Sequence, residues 1–202
     1  MSFIKMISNK NKTMIYPSRQ DYTFAVTHLD KFVLDHRFKG GQPRRDNKNK
    51  IIGYTGGYSR VYPIQNGGKI IALRCWTANV DKAKERYTRI HSHLKTITLP
   101  YFVDFDFLDR GIIVNGTIFP ILYMEWIEGI TLNKFIDKNI QNPPLILQLA
   151  TKFQKMVQEL HVNKIAHGDL QEGNILVCTH NNNVTLKLID YDSLYVPTLN
   201  GL

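Results

Sequence analysis

At 202 residues the chain is long enough for one medium domain or two closely packed lobes, and 43% hydrophobic with 21% charged residues excludes wholesale disorder and a fibrous class. A net charge of +9 admits an anionic partner, whether a nucleotide, an acidic protein surface or nucleic acid, without choosing among them. No apolar run approaches the roughly 18 residues that cross a bilayer, residues 1–7 are too short an apolar stretch for a signal peptide, and Cys75 and Cys178 lack metal-ligand spacing, so the expectation is a cytoplasmic protein with reduced thiols and no membrane partner.

Residues 1–50 alternate short apolar clusters with Lys, Asn, Gly and Pro and read as an N-terminal extension packed on the strands after it, with one short helix over 20–33. The basic run Arg44-Arg45-Asp46-Asn47-Lys48-Asn49-Lys50 has no interleaved aromatic platform, so it reads as a solvated loop and nucleic acid is not expected. Residues 51–55 and 59–64 are strand-like around Gly56-Gly57, and Asn66-Gly67-Gly68 turns into a third strand over 69–76. Gly56 and Gly57 would let backbone N–H groups approach phosphate oxygens without a Cβ in the way, and a plain hairpin turn fits them equally well.

A helix over 79–95 is predicted next, with Asn79 as its cap and Ala83, Tyr87, Ile90 and Leu94 on the buried face. Glu85 is its only Glu, with Arg89 one turn on. His91 and His93, two apart, point to different sides and make no metal pair. Residues 101–108 alternate as a half-buried strand, and 111–114 and 117–126 form a hairpin around Asn115-Gly116. A short helix over 131–139 precedes a longer one from Pro143-Pro144, whose Leu145, Leu149, Phe153, Met156 or Val157, and Leu160 recur at helical spacing. A last hairpin joins 175–178 to 184–189 across a polar turn at 180–183.

The chemistry concentrates in His167-Gly168-Asp169-Leu170-Gln171-Glu172-Gly173-Asn174, followed by Leu188-Ile189-Asp190. An Asp and an Asn five positions apart on a loop, with a second Asp arriving on the next strand, can hold a divalent metal and align a hydroxyl nucleophile, which is phosphoryl-transfer chemistry. The alternative is an Asp and an Asn that only hydrogen-bond their own backbone in a turn.

These residues resemble the protein-kinase catalytic loop H-R-D-x-x-x-x-N and the metal-binding Asp of D-F-G, here Asp190-Tyr191-Asp192. The resemblance extends, in order, over a glycine turn, Ile71-Ala72-Leu73-Arg74 in the place of V-A-I-K, a Glu-bearing helix, and Leu122-Tyr123-Met124-Glu125-Trp126-Ile127-Glu128-Gly129 in the place of the hinge. It implies an α+β, protein kinase-like two-lobed fold of bacterial Ser/Thr type: an N-terminal extension over 1–50, a five-stranded antiparallel N-lobe sheet with one helix over 51–127, and a shortened, mainly helical C-lobe over 128–202. It further implies that Asp169 is the base or orienter of the acceptor hydroxyl, that Asn174 and Asp190 are magnesium ligands, and that Arg74 reaches the nucleotide phosphates with Glu85 as its ion-pair partner. Gly56 and Gly57 would lie over those phosphates, Val61, Ala72 and Leu176 would sandwich the adenine, Met124 would be the gatekeeper, and the backbones of Glu125 and Ile127 would read the adenine edge.

The sequence departs from the kinase pattern at several places. Tyr54 and Ser59 stand where the outer glycines would be, Arg74 replaces a Lys whose point charge a forked guanidinium does not reproduce, Gly168 replaces the loop Arg, and Gln171 replaces a Lys. The chain stops eleven residues after Tyr191, without an A-P-E segment, so the implied domain is truncated after its D-F-G equivalent. The function implied is an ATP- and Mg2+-dependent phosphotransferase acting on a protein Ser/Thr. Its alternatives are a nucleotide-binding pseudokinase scaffold, suggested by Arg74, and an aminoglycoside- or choline-kinase-like enzyme with a small hydroxyl acceptor, suggested by His167-Gly168-Asp169.

Overall fold

The computed structural model describes residues 15–80, 82–181 and 183–202; the reading of residues 1–7, and Asp81 within the expected helix start, lie outside them. Six antiparallel strands form one sheet: β1 (Gln42–Pro43), β2 (Tyr54–Thr55), β3 (Ser59–Asn66), β4 (Lys69–Trp76), β5 (Phe105–Val114) and β6 (Thr117–Glu125), in the order β1-β3-β4-β6-β5 with β2 also on β3. The turns that build it are those the sequence marks. Gly67 and Gly68 (φ 54° and 82°) join β3 to β4, and Asn115 and Gly116 (φ 50° and 77°) join β5 to β6, both central residues taking the positive φ that matches strand twist in a two-residue hairpin.

Strand β4 organises the molecule because both its faces are buried. Ile71, Leu73 and Cys75 join one core with Tyr22, Val26 and Leu29 of the N-terminal helices α1 (Arg19–Thr27) and α2 (Leu29–Phe32). Ala72 and Trp76 join the other core with Tyr87 and Ile90 of α3 (Ala83–Leu94), and Arg74 lies between them on the same face by the two-residue period of a strand. Ser18 starts α1 with a capping box: its hydroxyl accepts from Asp21 N–H while the Asp21 carboxylate accepts from Ser18 N–H.

The second sheet has three antiparallel strands, β7 (Ile130–Thr131), β8 (Ile175–His180) and β9 (Asn183–Leu188), in that order. It is accompanied by α4 (Leu132–Asn139) and α5 (Pro143–Val162). The Asn142 side chain caps α5 by accepting from Leu145 N–H, with the Pro pair in the first turn where no N–H is needed. Leu149, Met156 and Leu160 of α5 are buried in the same core as Trp76, Tyr87, Leu188 and Tyr191, so one apolar cluster runs from the first sheet to the second. No helix among the described residues is long and apolar enough to cross a membrane.

Four expectations are adjusted. The predicted helix over 20–33 breaks at His28 into α1 and α2. Strand β1 falls within the stretch read as an extension and adds a sixth strand; two residues give no alternation for a sequence to show. The segment predicted as a strand over 101–108 becomes extended only at Phe105, then runs through a bulge between Leu108 and Ile112 to Val114. Helix α3 starts at Ala83 rather than Asn79, because Lys82 takes a left-handed conformation (φ 52°), and no side chain caps it.

Candidate functional site

A cleft of about 510 Å³ opens between β3, β4 and the end of β6 on one side and β8 on the other. Val61 and Ala72 line it from the first sheet and Leu176 from the second, with Met124 beside Ala72 as its cross-strand neighbour on β6. Glu125, Ile127 and Gly56 also line it, together with Arg74, Asn174 and Asp190 at its polar end. Of the residues expected at the site, Gly57, Asp169 and Glu85 are not on its wall. After β6 the chain leaves the sheet; Ile127 N–H has no backbone partner among the described residues, while Ile127 C=O accepts from Gly129 N–H at 3.1 Å. Gly129 is closely approached: a Cβ there would lie 3.0 Å from Cys178 Sγ and 3.1 Å from the Val177 carbonyl oxygen, so these neighbours would have to give by a few tenths of an ångström.

The loop before β8 is fixed from both sides. Ala166 exchanges both backbone hydrogen bonds with Tyr195 (3.1 and 2.7 Å), and buried His167 meets Ile189 C=O through Nε2 at 3.0 Å. Gly168 lies against the backbone of Ser193, so no side chain fits where the kinase loop carries its Arg. Asn174 Nδ2 donates to Asp169 at both Oδ2 and the backbone C=O, each at 2.9 Å, and Gln171 Nε2 donates to Oδ2 at 3.0 Å. Asp169 Oδ1, on an exposed residue, has no hydrogen-bond partner among the described residues, and Asn174, whose Oδ1 likewise has none among them, lines the cleft. The Asp–Asn pair thus bonds its own backbone, as the turn reading expects, and the same amide also fixes the Asp169 carboxylate.

Arg74 departs most from expectation. Its side chain is only 4% exposed, and Nη2 meets Asp190 Oδ1 at 2.9 Å and Asp192 Oδ2 at 2.5 Å. Nε donates to Ser59 Oγ at 3.0 Å and Nη1 to Tyr87 Oη at 3.1 Å. Burial works against the charged guanidinium, but Tyr87, Asp192 and Asp190 outweigh it and raise its pKa. Burial likewise pushes the Tyr87 phenol well up, against the opposing pull of Arg74.

The expected Arg74–Glu85 pair is not formed. Glu85 Oε1 takes Arg89 Nη2 at 2.5 Å, one turn along on the exposed side of α3. The cause is helical phase: Tyr87 is the α3 residue turned to Arg74, and two residues are roughly 200° around an α-helix, so Glu85 faces away. Asp192, Tyr87 and Ser59, the unassigned partners of Arg74, were not expected at the site from the sequence, nor were Thr55, Thr131 and Lys134 on the cleft wall. The available signal was a carboxylate at the glycine position of D-F-G, in Asp190-Tyr191-Asp192.

Residues 112–195 match the family model of the ABC1 atypical kinase-like domain. The inhibitor of nuclear factor kappa-B kinase subunit alpha of Danio rerio is 31% identical over 146 residues, which are 67% of this chain and 19% of that protein. These matches support a protein kinase-like superfamily for the chain. The Gallus gallus protein of the same description is 28% identical over 145 residues, and an EKC/KEOPS complex subunit of Schizosaccharomyces pombe is 32% identical over 72 residues, 35% of this chain and 30% of that one. This kinase-like chain thus spans about a fifth to a third of the length of these relatives. The stretch matching the ABC1 kinase-like domain contains Asp169, Asn174, Asp190 and Asp192, whereas Gly56, Arg74 and Glu85 precede it.

Proposed function

We propose that the chain is a phosphotransferase that binds ATP with Mg2+ in this cleft, between two kinase-type lobes, and passes the γ-phosphoryl group to a hydroxyl, with Ser/Thr of a protein as the acceptor. The observation that carries the reading is the pairing of Asp169 with Asn174, which lines the cleft together with Asp190. Val61, Ala72 and Leu176 fit a flat apolar base, and the free Ile127 N–H at the edge can specify its orientation.

The residues present also fit a divalent cation. Asn174 Oδ1 and the unused Asp190 oxygen are hard oxygen donors at the phosphate end, and Mg2+ is commonly bound by one or two protein groups together with phosphates and waters. The Arg74 guanidinium is already engaged by two carboxylates there, so it is not free to offset the charge of a polyphosphate, and a cation would do so. The ion would supply neutralisation of phosphate charge. Asp169 orients the acceptor hydroxyl and takes its proton as that oxygen bonds to the γ-phosphorus and the bond to the bridging β–γ oxygen breaks, releasing ADP.

Two measurements test this. ATP should raise the melting temperature with Mg2+ and much less in EDTA. Asp169→Asn should keep that shift while lowering transfer of labelled phosphate to an acceptor panel by about two to four orders of magnitude. No ATP-dependent shift in either condition would remove the nucleotide reading. A pseudokinase is the second reading, favoured by the involvement of Arg74 with Asp190 and Asp192; tight MgATP binding with no transfer to any acceptor would select it.

A further inference from the structure

Arg74 on β4 joins the start of β3, helix α3 and the segment after β9 through one guanidinium. A guanidinium has five N–H donors, and four bonds are made here: one from Nε, one from Nη1 and two from Nη2. The two carboxylates on Nη2 are not equivalent. Asp192 is held at both oxygens, Oδ2 by Arg74 at 2.5 Å and Oδ1 by the Tyr87 hydroxyl at 2.6 Å. Arg86, also on α3, donates from Nη2 to the backbone carbonyls of Asp192 (2.9 Å) and Leu194 (3.1 Å), pinning the same segment. Asp190 has one oxygen on Arg74, and it is the one of the two that lines the cleft.

We propose that Asp192, backed by Tyr87, is the positioning residue that anchors Arg74 in the place expected of Glu85, and that its hold on Arg74 leaves Asp190 available to a divalent cation. This rests on the nucleotide reading of the cleft. The physical reason is that a guanidinium buried to this degree must keep an anionic partner, because an unpaired buried charge is far costlier than a paired one. With Asp192 neutralised, Arg74 has only Asp190 to pair with, and the fork geometry favours capture of both Asp190 oxygens. A cation then competes with Arg74 for the carboxylate it needs. With Asp192 in place, Arg74 can release Asp190 without being left unpaired.

The experiment is calorimetric titration of ATP into the full chain over a series of Mg2+ concentrations, with the melting temperature in EDTA recorded for each variant. Asp192→Asn should raise the Mg2+ concentration for half-maximal ATP affinity about tenfold, the scale of one charge-assisted hydrogen bond, and Asp192→Glu should restore most of it. Tyr87→Phe should move the requirement in the same direction by a smaller factor, and it decides the matter if Asp192→Asn does not fold. Glu85→Gln should leave the requirement unchanged. A folded Asp192→Asn protein with the wild-type Mg2+ requirement, or a Glu85→Gln protein that matches its defect, overturns the assignment while leaving ATP binding intact. Wild-type protein that binds no ATP at any Mg2+ concentration overturns both this and the function on which it rests.

Discussion

Gly168 has φ 76°, and a Cβ built on it would fall 2.3 Å from the Ser193 carbonyl oxygen. Two penalties coincide there, a left-handed backbone worth about 1–2 kcal/mol for an L-residue and a backbone clash that no rotamer relieves. Gly168→Ala should therefore lower unfolding free energy in urea by at least about 1–2 kcal/mol, whereas Gly57→Ala, which meets open space at negative φ, should change it far less. Equal effects at the two positions would contradict the loop geometry. The same contact explains what was legible at this scale. Asp169, Asn174 and Asp190 could be found from spacing because loop and strand order bring them together locally. The partnership of Arg74 with Asp192 spans 118 positions and depends on which way α3 is turned, so residue types alone favoured the Glu of the helix.

At the scale of elements, β4 shows how a strand buried on both faces places the site. The side carrying Ile71, Leu73 and Cys75 is sealed by α1 and α2, so the register of Ala72 and Arg74 toward the cleft cannot slip without exposing the other core. Ala72 belongs to the buried core as well as the cleft wall, so Ala72→Phe should abolish ATP binding by calorimetry and, through overpacking, cost about 1–3 kcal/mol of stability. Unchanged affinity would mean that the base does not lie against β4. Tyr191 couples the end of β9 to the segment before β5, its hydroxyl accepting from Val103 N–H (2.9 Å) and donating to Leu188 C=O (2.8 Å). Tyr191→Phe leaves that buried N–H unsatisfied and should cost about 1–3 kcal/mol in urea unfolding; no loss would show that Val103 finds another acceptor. Hairpins and long helices were readable because turn residues and apolar period act within a few positions. The start of α3 and the strand β1 were not, since a single left-handed Lys82 and a two-residue pairing leave no periodic trace.

Across the whole molecule, the core that contains Trp76 and Tyr87 also contains Leu149, Met156 and Leu188, so neither sheet has a separate interior on the cleft side. A shared core makes opening one sheet expose the apolar surface of the other, which favours cooperative unfolding. Thermal unfolding should accordingly be one transition, with calorimetric and van't Hoff enthalpies in agreement and far-UV circular dichroism tracking the heat absorption. Two resolved transitions would show that the sheets are energetically independent despite the common cluster. Saturation with MgATP should shift that single transition intact, by about 2.7 kcal/mol at a hundredfold excess over the dissociation constant.

Tyr54 and Trp126 stand together at the rim of the cleft, ring centroids 5.6 Å apart, whereas the chain's other tryptophan, Trp76, is 1% exposed and packed against Tyr87 and Phe107. The molecule thus carries an optical reporter at its site and a reference in its interior. A ligand settling against the rim changes the surroundings of the Trp126 indole, so with Trp76 replaced by Phe the remaining tryptophan emission reports occupancy without any label.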